Sequence, residues 1–261
     1  MTAWIVLILL AAAPTVRAAT TIADSSAYQA PRRESLLRTV DLVTILMAGA
    51  GVAAVTPFDQ DITDHLTRAN ARFPRDLSRI GEHLGNPLYI APALGAAYLA
   101  GHLTGHPGVG RSALRIAGGI ASASAVAGGL KFVVGRSRPY QSPDEPLVFR
   151  AFSGHTSFPS GHVTVAFSLA AGIDQETRAG WVPYVVYPLA GLVGWSRIRD
   201  DRHWASDVLA GAVVGTWTAR KFHALVGPLQ PLEPENSHSV EFELQPTPGA
   251  PGVLAEATIR F

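Results

Sequence analysis

Cysteine is absent from the 261 residues, which excludes disulfides, thiolate metal sites and thiol nucleophiles. Charge is scarce as well. With 21 Lys and Arg against 20 Asp and Glu, the formal net charge is +1, too little for a nucleic-acid groove or a polybasic membrane patch, so nucleic acid is not an expected partner. Any anion site must be local. The amino-terminal apolar run, Trp4 to Ala13, falls short of the roughly 20 residues that span a bilayer, and no Lys or Arg precedes it. With Pro14 and Val16-Arg17-Ala18 behind it, Met1 to Ala19 reads as an export signal, an uncleaved anchor being the alternative.

What the chain has in quantity is apolar and small residues: 48% are hydrophobic and 25 are glycine, a composition of closely packed helices. Apolar segments run over Val40 to Val55, Pro87 to Gly101, Ala113 to Gly135, Val163 to Ile173, Trp181 to Trp195 and Asp207 to Ala219. Six helices are the simplest count. Small residues three or four apart, Gly118 with Ser122, Ala125 with Gly129, and Gly211 with Gly215, would let helix backbones approach closely, and Trp181 and Trp195 bracket the fifth segment like interfacial anchors. Phe58 to Asn86, mixed in charge, reads as a solvated connecting helix or loop without assigned chemistry. Gln141 to Pro159, rich in Pro, Ser and Gly, is long enough to be a mobile cover over a site. Ser239 to Leu244 and Val253 to Phe261 alternate like strands around Pro246-Thr247-Pro248-Gly249, predicting a terminal hairpin. The expected organisation is thus a leader or anchor over 1–19, a polar linker over 20–39, a helical domain over 40–225 and a tail over 226–261.

Three blocks gather phosphate-binding and acid/base residue types at segment ends. The first is Lys131-Phe-Val-Val-Gly-Arg-Ser-Arg138-Pro139, where Pro139 is expected to stop a helix with cations at its exit, a place they also favour for the helix dipole alone. The second, Phe158-Pro159-Ser160-Gly161-His162, precedes an apolar run, so Ser160 and Gly161 would offer backbone N–H groups at a helix N-terminus, an anion site in the making. The third is Ser196-Arg197 followed by His203 and Asp207. These last two are four apart, share a face if helical, and the carboxylate could then hold one imidazole nitrogen while the other stays free. Each block alone is common.

In this order and between hydrophobic segments, Lys-x6-Arg-Pro, Pro-Ser-Gly-His and Ser-Arg-x5-His-x3-Asp resemble the full signature of the phosphatidic acid phosphatase type 2 (PAP2) superfamily, with every identity present, over about Pro87 to Phe222. The resemblance implies an all-α fold, a six-helix PAP2-type bundle embedded in a membrane, here with a short C-terminal β-hairpin. It also implies a phosphatase that needs no cofactor or metal. Lys131, Arg138 and Arg197, with Ser160 and the Gly161 N–H, would hold the phosphoryl group, His203 would attack phosphorus with Asp207 behind it, and His162 would handle the leaving-group proton. The substrates implied are lipid phosphates or pyrophosphates of the phosphatidate, phosphatidylglycerol phosphate or undecaprenyl pyrophosphate class. Secreted acid phosphatases and vanadate-dependent haloperoxidases share the pocket and are the alternatives. Asp200 and Asp201 could tune the site or merely solvate its loop. His155 in the cover loop stands apart from the remaining histidines, which read as surface or packing residues.

If all six segments span, the three blocks fall on one side of the membrane. Arg32, Arg33, Arg38, Arg220 and Lys221 on the other side would make that face the outer one in a bacterial-type envelope. A cleaved leader would reverse the orientation, and a soluble exported domain is the remaining option.

Overall fold

The computed structural model describes residues 39–68, 75–227, 239–246 and 253–260. The expected leader, nearly all of the polar linker, and the turn residues Thr247 to Gly249 lie outside the described residues. Eight α-helices are present among the described residues: α1 Thr39–Val55, α2 Asp59–Arg68, α3 Arg75–Leu84, α4 Pro87–Leu103, α5 Pro107–Val134, α6 Gly161–Thr177, α7 Pro183–Arg199 and α8 Ala205–Val226. All six expected segments are helical. The count of six is corrected because the described residues of the Phe58 to Asn86 stretch include α2, which follows α1 through a single 3-10 turn at Thr56–Phe58, and α3, which precedes α4.

Local chemistry sets several ends. Asn86 caps α4, its side chain accepting from Leu88 N–H at 3.0 Å, with Pro87 in the first turn where its missing N–H costs nothing. Helix α5 ends at Val134, five residues before Pro139, because Gly135 adopts a left-handed conformation with φ of 57° and returns its N–H to the Lys131 carbonyl. The expected stop at Pro139 is therefore replaced by a glycine cap, and residues from Gly135 onward are freed from helix to turn into the site.

Helix α6 is the axis of the bundle. Val163, Leu169 and Ile173 on it meet Ile116 of α5, Val193 of α7 and Ile90 with Leu94 of α4 in one apolar core. Its closest partner is α8, where a methyl on Gly211 would sit 2.6 Å from the Ser160 carbonyl oxygen and one on Gly215 would overlap the Thr164 carbonyl. Gly211 and Gly215 thus serve the expected close approach, and Gly118 does so against Phe222. Ala125 and Gly129 do not: both are exposed, with nothing near Gly129.

Two stretches, Thr39–Arg68 through the α1–α2 junction and α5, are long and apolar enough to cross a membrane. Val40, Leu46, Met47, Leu88, Leu103 and Phe132 turn outward with more than half of their surface exposed. Such an apolar exterior suits lipid and would be costly in water. Residues Pro228–Phe261 form a second unit in which Ser239–Pro246 and Val253–Arg260 run antiparallel, Ser239 opposite Arg260.

Candidate active site

Because successive helices reverse direction, the C-terminal ends of α5 and α7 and the N-terminal ends of α6 and α8 share one end of the bundle. The three sequence blocks converge there. Lys131, in the last turn of α5, donates to the carbonyls of Thr156 at 2.6 Å and Pro159 at 2.5 Å, and a methyl on Gly161 would lie 3.7 Å from its Cε. Arg138, beyond the helix, reaches the Thr156 hydroxyl at 3.3 Å. The Ser160 N–H donates to the Asp207 carbonyl at 2.9 Å, which binds the α6 N-terminus to the start of α8.

Two buried polar atoms of this cradle have no hydrogen-bond partner: Ser160 Oγ and Arg197 Nη2. Ser160 occupies the N-cap position of α6 yet does not cap it. A buried hydroxyl at the N-terminus of α6 and a buried guanidinium nitrogen in the last turn of α7, neither of them spent in a hydrogen bond, are donors available to an anion. Arg197 is held from behind by Glu82 and Asp200, each at 3.6 Å, and Asp200 accepts from the Ser78 hydroxyl at 2.6 Å. Asp200 therefore organises Arg197, and Asp201 forms the left-handed turn beside it, with φ of 54°.

His203 lies ahead of α8, in the turn where its N–H donates to the Arg197 carbonyl at 3.2 Å. The expectation that His203 and Asp207 share a helical face is corrected. The helix starts at Ala205, and Asp207, in its first turn, satisfies the Trp204 N–H at 3.0 Å. Asp207 Oδ2 is 3.7 Å from His203 Nδ1, and the Ser157 hydroxyl lies between, donating to Oδ2 at 2.5 Å and 3.5 Å from Nδ1. Burial pushes the His203 imidazole below its ordinary range, Asp207 opposes, and Lys131 and Arg138 add to the fall. His162, half-buried in the first turn of α6, is lowered to about 4 by burial, then by Arg197, His203 and Arg138, with Glu82 opposing.

Sequence reasoning passed over five residues that build this site: Asp59, Glu82, Arg136, Ser157 and Ser206. Arg136 sits inside the first block, where its charge was legible. Asp59 and Glu82 come from the stretch read as solvated. Gln141 to Pro159 is tied down rather than free: Arg150 N–H donates to Gly135 O at 2.8 Å, Ser137 N–H to Val148 O at 3.1 Å and Ser157 N–H to Arg136 O at 3.0 Å. His155 makes a backbone bond to the Ser153 hydroxyl at 3.4 Å, away from these contacts.

The helical bundle thus brings cations, two imidazoles and a helix N-terminus to one end. Residues 112–230 match the PAP2 superfamily model. It is 46% identical over 61 residues, 23% of this chain and 14% of the relative, to a lipid A 1-phosphatase of Porphyromonas gingivalis. It is 30% identical over 87 residues, 33% of this chain and 42% of the relative, to an undecaprenyl-diphosphatase of Sulfolobus acidocaldarius. The chain thus spans less than half the length of either relative. Its fold is similar to the crystal structure of a transmembrane PAP2 type phosphatidylglycerolphosphate phosphatase from Bacillus subtilis, with a TM-score of 0.52, 20% identity, and coverage of 69% of this chain and 92% of that one.

Proposed function

We propose that this protein is a membrane phosphatase that hydrolyses lipid phosphate monoesters or pyrophosphates through a phosphohistidine. The observation that carries this reading is a pair of buried donors without a hydrogen-bond partner, Ser160 Oγ and Arg197 Nη2, the latter held only by the 3.6 Å ion pair to Asp200, at the same end of the bundle as an imidazole backed by a carboxylate. Displacement at phosphorus spreads charge over three equatorial oxygens, so fixed donors and cations supply most of the catalysis. Lys131, Arg138, Arg197, Ser160 and the Gly161 N–H bind those oxygens and do the work a metal clamp would otherwise do.

In the first step the free Nε2 of His203 forms a bond to phosphorus as the bond to the leaving oxygen breaks, and His162 gives that oxygen its proton. In the second, His162 takes a proton from water, the water oxygen bonds to phosphorus, and the phosphorus–nitrogen bond breaks to release inorganic phosphate. Asp207 bears the positive charge on His203 between the steps. The names of the two curated relatives point to lipid-borne phosphate and diphosphate as the substrate class, and the apolar exterior suits a site that faces a leaflet. The positive residues Arg220 and Lys221, at the opposite end of α8, favour a catalytic face turned to the outside.

The test is phosphate release from a panel of lipid phosphates, lipid pyrophosphates and soluble esters, by purified protein with and without exhaustive EDTA treatment. Activity that survives EDTA and vanishes in His203→Ala and His162→Ala is expected. Substantial turnover by His203→Ala would overturn the nucleophile, and loss of activity restored by a divalent cation would overturn the metal-independent mechanism.

A further inference from the structure

Three charges lie behind the imidazole, in a layer no solvent reaches. Asp59 at the start of α2, Arg136 just past α5 and Asp207 in α8 are 0%, 1% and 0% exposed. Arg136 Nη1 donates to Asp207 Oδ1 at 2.8 Å, and Nη2 donates to Asp59 Oδ2 at 2.7 Å. Ser206 closes the ring, its N–H donating to Asp59 Oδ1 at 2.8 Å and its hydroxyl to Oδ2 at 2.5 Å while accepting from Arg136 Nη1 at 2.7 Å. The Arg136 guanidinium also stacks on Phe149 and Trp204, with 5.0 and 5.5 Å to the ring centroids, and donates to the Pro146 carbonyl.

Stability alone does not account for such a cluster, since a buried ion pair or triad gains little over well-packed apolar residues. Charge counting does. Asp207 with Arg136 alone would be a neutral pair with little field left for His203. Two carboxylates against one guanidinium leave one net negative charge, and the oxygen left free of Arg136, Asp207 Oδ2, is the one turned toward His203.

We propose that Asp59 and Arg136 are positioning residues of the active site. Arg136 locks Asp207 so that Oδ2 faces His203, and Asp59 restores the negative charge that Arg136 would cancel, so that the imidazole cation formed on attack is stabilised. This rests on the phosphatase reading above. Lys131 and Arg138 from α5 and its exit, His162 from α6, Arg197 from α7 and Asp207 from α8 also face the imidazole, and all of them stay in place in an Asp59→Asn protein.

The experiment measures kcat, KM and the pH profile of Asp59→Asn, Asp59→Glu and the charge-matched pair Asp59→Asn with Arg136→Gln, on the most active substrate of the lipid phosphate, lipid pyrophosphate and soluble ester panel, per folded protein from size exclusion. In Asp59→Asn, kcat is expected to fall by about tenfold or more with KM within roughly twofold of wild type, the pattern of a lost transition-state interaction. Without the charge of Asp59, protonating His203 becomes harder, so the acidic limb of kcat/KM moves to lower pH. Asp59→Glu recovers part of the rate. The paired variant removes one charge of each sign and so keeps the wild-type net charge of the layer, which gives a second reading if Asp59→Asn alone is not recoverable: kcat is expected to stay low because nothing locks Asp207, while the acidic limb stays near its wild-type position, and a limb displaced to lower pH in this variant overturns the charge argument. In Asp59→Asn, an unchanged kcat, or a loss that tracks folded protein with the limb unmoved, overturns the inference. Wild type and His203→Ala run alongside: an inactive wild type or an active His203→Ala fails the phosphatase reading itself, whereas a wild-type-like Asp59→Asn beside a dead His203→Ala fails only this proposal.

Discussion

The Ser157 hydroxyl is hydrogen-bonded to Asp207 Oδ2 at 2.5 Å, the oxygen that faces His203, so a serine outside every sequence block sits between the carboxylate and the imidazole. A hydrogen bond to a charged group is worth about 1.5–3 kcal/mol, which corresponds to roughly ten- to a hundredfold in rate if it is lost in the transition state. Ser157→Ala is therefore expected to lower kcat by that order with the helical fold intact. Steady-state kinetics beside circular dichroism checks it, and a kcat equal to wild type would remove Ser157 from the mechanism.

His162 offers a proton test that needs no turnover. Its value of about 4 leaves the imidazole neutral at pH 6 when the pocket is empty. An anion placed among Arg138, Arg197 and His162 offsets the cations that depress it, so protonation and anion binding are coupled. Sulfate, a dianion throughout this pH range, is expected to bind with uptake of up to about one proton at pH 6, measured by calorimetry in buffers of different ionisation enthalpy. His162→Gln abolishes the uptake; uptake that persists in this variant assigns the proton elsewhere.

Gly135 holds the turn that releases Arg136 and Arg138 from α5. Its φ is 57°, and an added methyl would overlap the Arg150 carbonyl. Gly135→Ala combines left-handed strain of about 1–2 kcal/mol with displacement of the strap that carries Arg150. A fall in Tm together with loss of activity is expected in detergent-purified protein. An unchanged Tm would show that the strap moves aside freely.

The far end of the bundle carries a cluster unconnected to catalysis. Glu176 of α6 is ion-paired with Arg115 Nε at 2.8 Å, accepts from the Ser112 hydroxyl at 2.7 Å and lies 3.0 Å from His223 Nδ1, joining α5, α6 and α8. Burial would raise the Glu176 carboxyl, but the bonds from His223 and Ser112 and the charge of Arg115 hold it below its ordinary range. A depressed carboxyl contributes stability that is complete above its unfolded pKa and is lost as pH falls through the folded one. Glu176→Gln is expected to lower stability by about 3 kcal/mol near neutral pH and to flatten the loss of Tm on acidification, with kcat unchanged. A fall in kcat at constant folded fraction would show coupling between the two ends.

The six apolar segments were legible because their length and continuous apolar composition mark helices whether they face the core or lipid, and Lys131, Arg138, Ser160, His162, Arg197, His203 and Asp207 because their residue types cluster at segment ends. Asp59 was not legible. Its charged neighbours Asp61 and Asp64 are those of a solvated helix, and nothing local distinguishes the one carboxylate that turns inward to Arg136, 77 positions away in the chain. Glu82 and Ser157 escaped for the same reason, each acquiring its meaning from a partner on another element.

The sequence by itself determined that this is a helical chain without thiol chemistry, carrying three phosphate-type blocks at the ends of apolar segments. Only the tertiary structure decided that Gly135 rather than Pro139 ends α5, that His203 precedes its helix instead of riding on it, and that a buried Asp59–Arg136–Asp207 layer stands behind the imidazole. Periodicity and residue type act within a few neighbours along the chain. The charge balance of a buried site is a sum over groups that meet only when the helices pack.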